Sequence, residues 1–242
     1  MLSQDNVDPQ YKLPRLLTFL VGLILKLKGM TCEGIFRVPG NQDLVSMLRV
    51  KLEAGDYNAD GLTDPHVVAS LLKEWLRELS EPLIPERLYE DCVANADNPG
   101  FIIGVVRKIP DVHQRAISFL IQLVQILTTP ENEATTKMDI NNLALVFAPS
   151  FLRHPRGNDL GDMMANTNVE QTFVCNLVKH WHAAASWKHP EVVKFLVESG
   201  ADVNIADPDD DTPLHVCEDV ACAEILLKHG ANGLAKNKTG KT

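Results

Sequence analysis

Arg37 stands in a short segment whose residue types favour an exposed loop of fixed shape. Gly34 precedes Arg37 and the pair Pro39-Gly40 follows it, and these residue types disfavour a continuous helix. Ile35 and Phe36 are apolar and can anchor the loop in a core. A planar guanidinium presented in this way can neutralise the negative charge that spreads over the oxygens of a phosphoryl group during its transfer. The alternative is an ordinary solvated loop cation.

Two further segments carry polar residues that point to a binding site. Lys73 and Arg77 are four residues apart and therefore share one face of a helix. Two like charges on one face repel each other unless a polar or acidic partner compensates them. The alternative is a solvated basic face paired with Glu74 or Glu78. Asn142 offers an amide that can both donate and accept hydrogen bonds. The alternative for Asn142 is a helix cap.

The elements that must position these residues are predicted to be helices. Apolar residues recur at helical spacing between Pro14 and Lys28, Asn41 is a typical N-cap, and Asp64-Pro65 is a typical helix start. Strand patterns are nearly absent. Further helices are expected at about 86–96, 100–108, 111–128, 139–147 and 166–181. The region is therefore predicted to be all-α, and the helix after Asn41 is expected to bury Leu44, Met47, Leu48 and Leu52.

A repeated sequence pattern begins at residue 182. His182 and His215 are separated by 33 residues, and each is expected to open a short helix that a second helix follows. The period, the Thr-Pro-Leu-His of residues 212–215 and the Gly-Ala pairs resemble ankyrin repeats, which are helix-turn-helix units. Residues 182–242 contain one to two repeats, incomplete, and 237–242 resemble the start of another. This resemblance implies a protein partner bound through the repeats.

Three segments of the first region together resemble the RhoGAP family of Rho GTPase-activating proteins. They are residues 33–40, 71–83 and 142–149, and the resemblance covers about residues 12–181. The residue types at 62–66 and 81–85 most resemble those of the RhoGAP subgroup in which the domain follows a myosin-tail homology domain. The predicted organisation is a RhoGAP-type helical bundle at 11–181 followed by the partial ankyrin segment at 182–242.

The resemblance to RhoGAP domains implies a role for each of the polar residues. Arg37 matches the arginine finger that is inserted in trans into a GTP-bound Rho-family small GTPase and stimulates GTP hydrolysis. Lys73, Arg77 and Asn142 match residues that meet the GTPase beside the finger. Such an activator is not itself the hydrolysing enzyme, and it needs no cofactor and no metal site. Two alternatives are a catalytically weak GTPase-binding module and an ankyrin-type scaffold.

Composition excludes several other classes. Hydrophobic residues make up 45% of the chain and charged residues 23%, which is typical of a protein with a packed core. The formal net charge is −9, which disfavours binding to nucleic-acid phosphates. The five cysteines are odd in number and contain no C-x-x-C pair, so we expect reduced thiols. The most apolar run, 16–25, is too short for a membrane span, and a soluble, cytoplasmic protein is expected.

Overall fold

The structure is a computed structural model that describes residues 7–8, 12–106, 108–155, 160–184, 190–198, 203–204, 206, 210–217 and 219–242. Helices dominate the described residues, which confirms the predicted all-α class. A two-residue antiparallel ribbon pairs β1 (Val7–Asp8) with β2 (Leu13–Pro14). The helices are α1 (Arg15–Lys26), α2 (Gln42–Glu53), α3 (Pro65–Arg77), α4 (Tyr89–Ala94), α5 (Pro99–Val106), α6 (Asp111–Leu127), α7 (Pro130–Thr136), α8 (Ile140–Phe151), α9 (Leu160–Ala184), α10 (Pro190–Glu198) and α11 (Val220–Lys228).

The helix α3 lies within the hydrophobic cluster formed by residues between Leu13 and Val178, which we call the first core. Asp64 caps it by accepting a hydrogen bond from the His66 backbone N–H at 2.8 Å, and Pro65 occupies the first helical position. The helix contacts α1, α2 and α8. It is buried on most of its circumference, because its inward residues are Val67, Val68, Ala69, Ser70, Leu71, Leu72 and Leu76. A helix enclosed in this way is a firm platform for the polar residues near its C-terminal end.

The helix α2 begins where the sequence predicts, but it turns a different face inward. The Asn41 side chain accepts hydrogen bonds from two backbone N–H groups, which confirms the predicted cap. Leu44 and Met47, which were expected to be buried, are exposed. The residues that α2 buries are Val45, Leu48 and Leu52. The reason is its packing against α3, which turns the Val45 side of α2 inward, while Gln42 and Arg49 hydrogen-bond to Glu74 and Glu78 at the exposed edge of that contact.

The helix α7 was not predicted, and α8 extends beyond its predicted end. No helix was expected at α7, because Pro130–Thr136 carries no apolar periodicity, although Thr129 caps it and Pro130 starts it. The helix α8 was expected to end at residue 147, yet it continues through Pro149 to Phe151. Pro149 is exposed, and on that side of the helix the loss of one backbone hydrogen bond costs least.

The long helix α9 completes the first core. It packs against α4, α5, α6 and α8 and buries Phe173, Val174, Leu177 and Val178. The helix continues to Ala184, so the expectation that His182 opens a new helix is wrong. His182 lies instead in the last turn of a helix that is already in progress. No helix in the part of the chain that the structure describes is both long and apolar enough to cross a membrane.

The C-terminal segment has a small cluster of its own, formed by Val193, Val203, Cys222 and Leu226. The helices α10 and α11 pack against each other around it. The short helix expected at His215 is a turn over residues 213–216. The His215 ring stabilises this turn, because its Nδ1 accepts a hydrogen bond from the Thr212 backbone N–H at 3.0 Å. Its Nε2 lies 3.1 Å from the Ala235 carbonyl and ties the turn to the following loop.

Candidate functional site

The loop that carries Arg37 has two residues with left-handed backbone geometry. Gly34 has a φ of 69° and Phe36 has a φ of 67°. Left-handed geometry costs an L-residue such as Phe36 about 1–2 kcal/mol, so neighbouring contacts must maintain it. Ile35 and Phe36 are fully buried, as expected for an anchor, whereas Arg37 is exposed. The chain reversal therefore buries two side chains and presents the third to solvent.

Three contacts hold this loop to the surrounding helices. The Gly34 backbone N–H donates to the Thr136 carbonyl at the end of α7, at 2.7 Å. The Phe36 ring packs on Phe147 of α8 with ring centroids 4.8 Å apart. Lys73 of α3 donates a hydrogen bond from its Nζ to the Phe36 carbonyl. These contacts come from three different helices and offset the backbone cost at Phe36.

Gly40 closes the loop against the N-terminal turn of α3. Its backbone N–H donates to the Ser70 Oγ at 2.9 Å. A Cβ atom on Gly40 would lie 2.5 Å from the backbone nitrogen and from the Cα of Val67, and 2.7 Å from the carbonyl carbon of His66. Those are backbone atoms of a buried helix and cannot move aside. Only glycine allows the loop to approach α3 so closely.

Lys73 is half-buried beneath the loop. Burial lowers the pKa of its ammonium group, and the nearby positive charge of Arg77 lowers this pKa further, while Glu74 partly opposes both. In the alternative drawn from the sequence, Glu74 or Glu78 neutralises the basic pair. Glu78 is instead held by Arg49 of α2 through two hydrogen bonds of 2.8 and 2.6 Å. The Lys73 ammonium therefore depends mainly on the Phe36 carbonyl.

Arg77 is exposed at the end of α3, one helical turn beyond Lys73. Its side chain forms no ion pair with any acidic group in the described part of the chain. An exposed guanidinium without an acidic neighbour is free to meet an external carboxylate or backbone carbonyl. Arg77 thus adds a second accessible cation to the surface that contains Arg37.

Asn142 lies in the first turn of α8 and does not cap it. The cap is Asp139, whose carboxylate accepts a hydrogen bond from the Asn142 backbone N–H at 2.7 Å. The helix-cap interpretation of the Asn142 side chain is therefore wrong. That side chain is half-buried, and its amide makes no hydrogen bond to the residues that the structure describes. It remains available to donate to a partner and to accept from it.

The sequence analysis missed two apolar residues of this surface. Val38 follows Arg37 directly and is 42% exposed, and Leu145 of α8 is 43% exposed. Leu145 follows Asn142 by three residues, so both lie on one face of α8. That spacing is the signal that could have identified it. We include both in the candidate surface because Val38 adjoins Arg37 in the chain and Leu145 shares a helix face with Asn142.

The loop thus brings together the two helices that bear the other predicted site residues. Phe36 touches both, through its carbonyl to Lys73 and through its ring to Phe147. Arg37 is the next residue in the chain. We call the exposed residues Val38, Arg37, Arg77 and Leu145, together with the half-buried Lys73 and Asn142, the finger surface. It offers cations, an amide and two apolar contacts, but no acid or nucleophile for a reaction of its own.

Two protein families match the chain. The family model of the RhoGAP domain matches residues 14–156, and that of ankyrin repeats (3 copies) matches residues 165–242. These matches confirm both resemblances seen in the sequence. The ankyrin match begins within α9, so the division at 181/182 stays a prediction.

Curated relatives are similar to most of the chain. It is 38% identical over 179 residues to GTPase activating protein homolog 2 of Dictyostelium discoideum, covering 74% of this chain and 20% of the relative. It is 33% identical over 213 residues to Rho GTPase-activating protein 22 of Mus musculus, covering 82% of this chain and 30% of the relative. The chain therefore spans less than a third of the length of either protein.

Solved structures show the same fold. The human Rho GTPase activating protein 15 superposes with a TM-score of 0.62 at 24% identity, covering 70% of this chain and 82% of that one. The BH domain from GRAF, the GTPase regulator associated with focal adhesion kinase, superposes with a TM-score of 0.56 at 18% identity, covering 68% and 92%. At these identities the likeness extends to the fold alone.

Proposed function

Because the chain belongs to the RhoGAP family, we propose that it binds GTP-loaded Rho-family small GTPases and stimulates their hydrolysis of GTP. The observation that carries this proposal is the exposure of Arg37 on a loop whose two preceding residues are fully buried. The Arg37 side chain therefore projects into solvent from a backbone that is held in place. The narrower likeness to the subgroup that follows a myosin-tail homology domain stays a prediction.

The proposed mechanism is the stabilisation of charge in trans. Negative charge accumulates on the transferred phosphoryl group and on the leaving oxygen as GTP is cleaved, and a guanidinium inserted from a partner neutralises it. The GTPase supplies the nucleotide, the magnesium ion and the residue that positions water. Arg37 supplies the missing cation. The chain needs no cofactor of its own for this role.

The remaining residues of the finger surface support the complex. Lys73 fixes the Phe36 carbonyl and thereby the position from which Arg37 extends. Arg77 and the Asn142 amide offer hydrogen bonds to the GTPase, and Val38 and Leu145 offer apolar area beside them. The ankyrin segment is proposed to bind a separate protein partner. Arg37 therefore acts in the transition state, Lys73 also positions the loop that carries Arg37, and the other residues act in binding.

The test is single-turnover hydrolysis of GTP by a panel of Rho-family GTPases, with and without the protein. We expect stimulation of at least one GTPase of the panel. Saturable binding to a GTP-loaded member without stimulation would instead make the chain a GTPase-binding module. Neither binding nor stimulation would leave the ankyrin-type scaffold as the better description.

We expect Lys73→Ala and Asn142→Ala to weaken GTPase binding far more than they weaken the fold. Loss of the Lys73 hydrogen bond lowers the free energy of unfolding by about 1.5–3 kcal/mol. This loss is offset because the variant no longer keeps an ammonium group partly out of water. Asn142 makes no side-chain hydrogen bond to the described residues. The free energy of unfolding should therefore change by no more than about 1 kcal/mol in either variant. Titration with a GTPase loaded with a non-hydrolysable GTP analogue measures the affinity, and urea unfolding measures stability.

Lys108→Ala is the matched control for these two variants. Lys108 is exposed after α5, a helix that packs on α9 rather than on the Arg37 loop. It should leave both affinity and stability unchanged. If Lys73→Ala or Asn142→Ala unfolds the protein while Lys108→Ala does not, the residue concerned is structural.

We expect the ankyrin segment to be dispensable for stimulation. The first core draws its buried residues from between Leu13 and Val178, and α10 and α11 form a distinct cluster, although α10 also contacts α6. A protein truncated after Ala184 keeps the whole of α9 and should stimulate hydrolysis within about twofold of the full chain, because no residue of the finger surface is lost. The rate is measured in the same single-turnover assay. A truncated protein that melts like the full chain but fails to stimulate would show that the repeats contribute to the site.

A further inference from the structure

Arg153 forms a bridge between the end of α8 and the end of α3. Its Nη2 donates to the Arg77 carbonyl at 2.6 Å, and its Nη1 donates to the Leu79 carbonyl at 2.9 Å. The Glu86 carboxylate lies 3.8 Å from the same Nη1. The Arg153 side chain is 30% exposed, so it is partly sheltered by these contacts. Both of its hydrogen bonds go to the main chain of the segment that ends α3.

The carbonyls at the end of a helix have no partners within the helix and carry its negative dipole end. A guanidinium suits this position, because its N–H groups lie in one plane and its charge is permanent. The two donors of Arg153 bind carbonyls on either side of Glu78, which is the C-cap of α3. They therefore fix the main chain from which the Arg77 side chain projects.

The backbone that directly precedes Arg153 is anchored in the core. It follows Leu152, the C-cap of α8, and the preceding Phe151 is fully buried. The Ile84 backbone N–H donates to the Phe151 carbonyl at 3.0 Å. Arg153 is thus a fixed extension of α8, the helix that carries Asn142. Arg153 thereby links the helix that carries Asn142 to the main-chain carbonyl of Arg77.

We propose that Arg153 is a positioning residue for GTPase binding, which sets Arg77 relative to Asn142 and acts through Arg77. This inference rests on the function proposed above. Arg77 forms no ion pair with an acidic side chain of the described residues that would orient it, so its direction depends on its main chain. Loss of Arg153 lets the end of α3 fray, and Arg77 then spends less time where the GTPase meets it.

The test is a double-mutant cycle in the full chain with Arg153→Ala, Arg77→Ala and the double variant. The readouts are KM and kcat for stimulation of the Rho-family GTPase that the parent stimulates most. We expect Arg153→Ala to raise KM about fivefold to tenfold and to change kcat less than about twofold, because Arg37 is untouched. In the Arg77→Ala background, loss of Arg153 should raise KM no further, since the two residues act as a unit.

Arg153→Lys separates positioning from folding. A lysine keeps the charge and one hydrogen bond, so its KM should lie between those of the parent and Arg153→Ala. If Arg153→Ala does not fold, the cycle is run with Arg153→Lys. An increase in KM that multiplies with that of Arg77→Ala, or an unchanged KM, overturns the inference while the proposed function stands. A parent that stimulates no GTPase overturns the proposed function and this inference with it.

Discussion

Replacing Arg37 with Ala is expected to reduce the stimulation of GTP hydrolysis by about 10³-fold to 10⁵-fold, the range attributed to arginine fingers. The reason is that, in the proposed mechanism, the guanidinium neutralises charge that exists only in the transition state. Binding to the GTP-loaded GTPase should change much less, because the rest of the finger surface is intact. The variant is therefore expected to hold its partner without accelerating it. Single-turnover hydrolysis and equilibrium binding, measured side by side, distinguish the two effects.

Arg37→Lys should lose nearly as much of the stimulation of GTP hydrolysis as Arg37→Ala. An ammonium carries the same charge, but it cannot make the two-pronged planar contact that a guanidinium makes with phosphoryl oxygens. Arg87→Ala is the matched control, since Arg87 is an exposed arginine paired with Glu81 at 3.3 Å and lies outside the finger surface. It should stimulate like the parent. If Arg37→Ala also stimulates like the parent, the catalytic role of Arg37 is refuted and a binding module remains.

Gly40→Ala is expected to lower the free energy of unfolding by about 2–4 kcal/mol and to reduce stimulation at least tenfold. The added Cβ meets backbone atoms of Val67 at 2.5 Å, so the loop must lift away from α3. Lifting it breaks the hydrogen bond between the Gly40 N–H and Ser70. The Arg37 loop then loses its C-terminal attachment. Urea unfolding and single-turnover hydrolysis measure the two effects.

Gly104→Ala is the control for a glycine substitution as such. Gly104 lies within α5, and a Cβ placed there would meet no heavy atom within 4 Å. Alanine is the better helix former, so this variant should be neutral or more stable by up to about 1 kcal/mol. A Gly40→Ala protein as stable and active as Gly104→Ala would mean that the loop does not depend on its close approach to α3.

Local signals were enough to predict several elements of the fold. The caps at Asn41 and Asp64 act within their own first turns, so sequence spacing identifies them. The burial of Ile35 and Phe36 also follows from residue type and from the flanking glycines. Leu44 and Met47 were misplaced because several apolar residues of α2 compete for the inner face. Contacts with α3, which local spacing does not contain, select Val45 instead.

The sequence names candidate residues for the site, but it does not contain their geometry. Arg37, Lys73 and Asn142 were identified from segments that are far apart in the sequence. The hydrogen bond from Lys73 to the Phe36 carbonyl joins residues separated by 37 positions, and no local pattern encodes it. The same holds for Arg153, whose two acceptors are main-chain carbonyls and carry no residue signature. Contacts to the main chain depend on tertiary packing, and so they emerge only from the structure.

The anchoring of the Arg37 loop also decides when its conformational entropy is lost. Fixing the backbone of one residue costs about 1–2 kcal/mol. Gly34, Phe36 and Gly40 are already fixed by contacts within the free chain. That entropy is therefore lost during folding, at the expense of the stability of the unbound protein, and little of it remains to be lost on association. Docking of this loop on a partner should then carry only a small entropic penalty from the side of the loop.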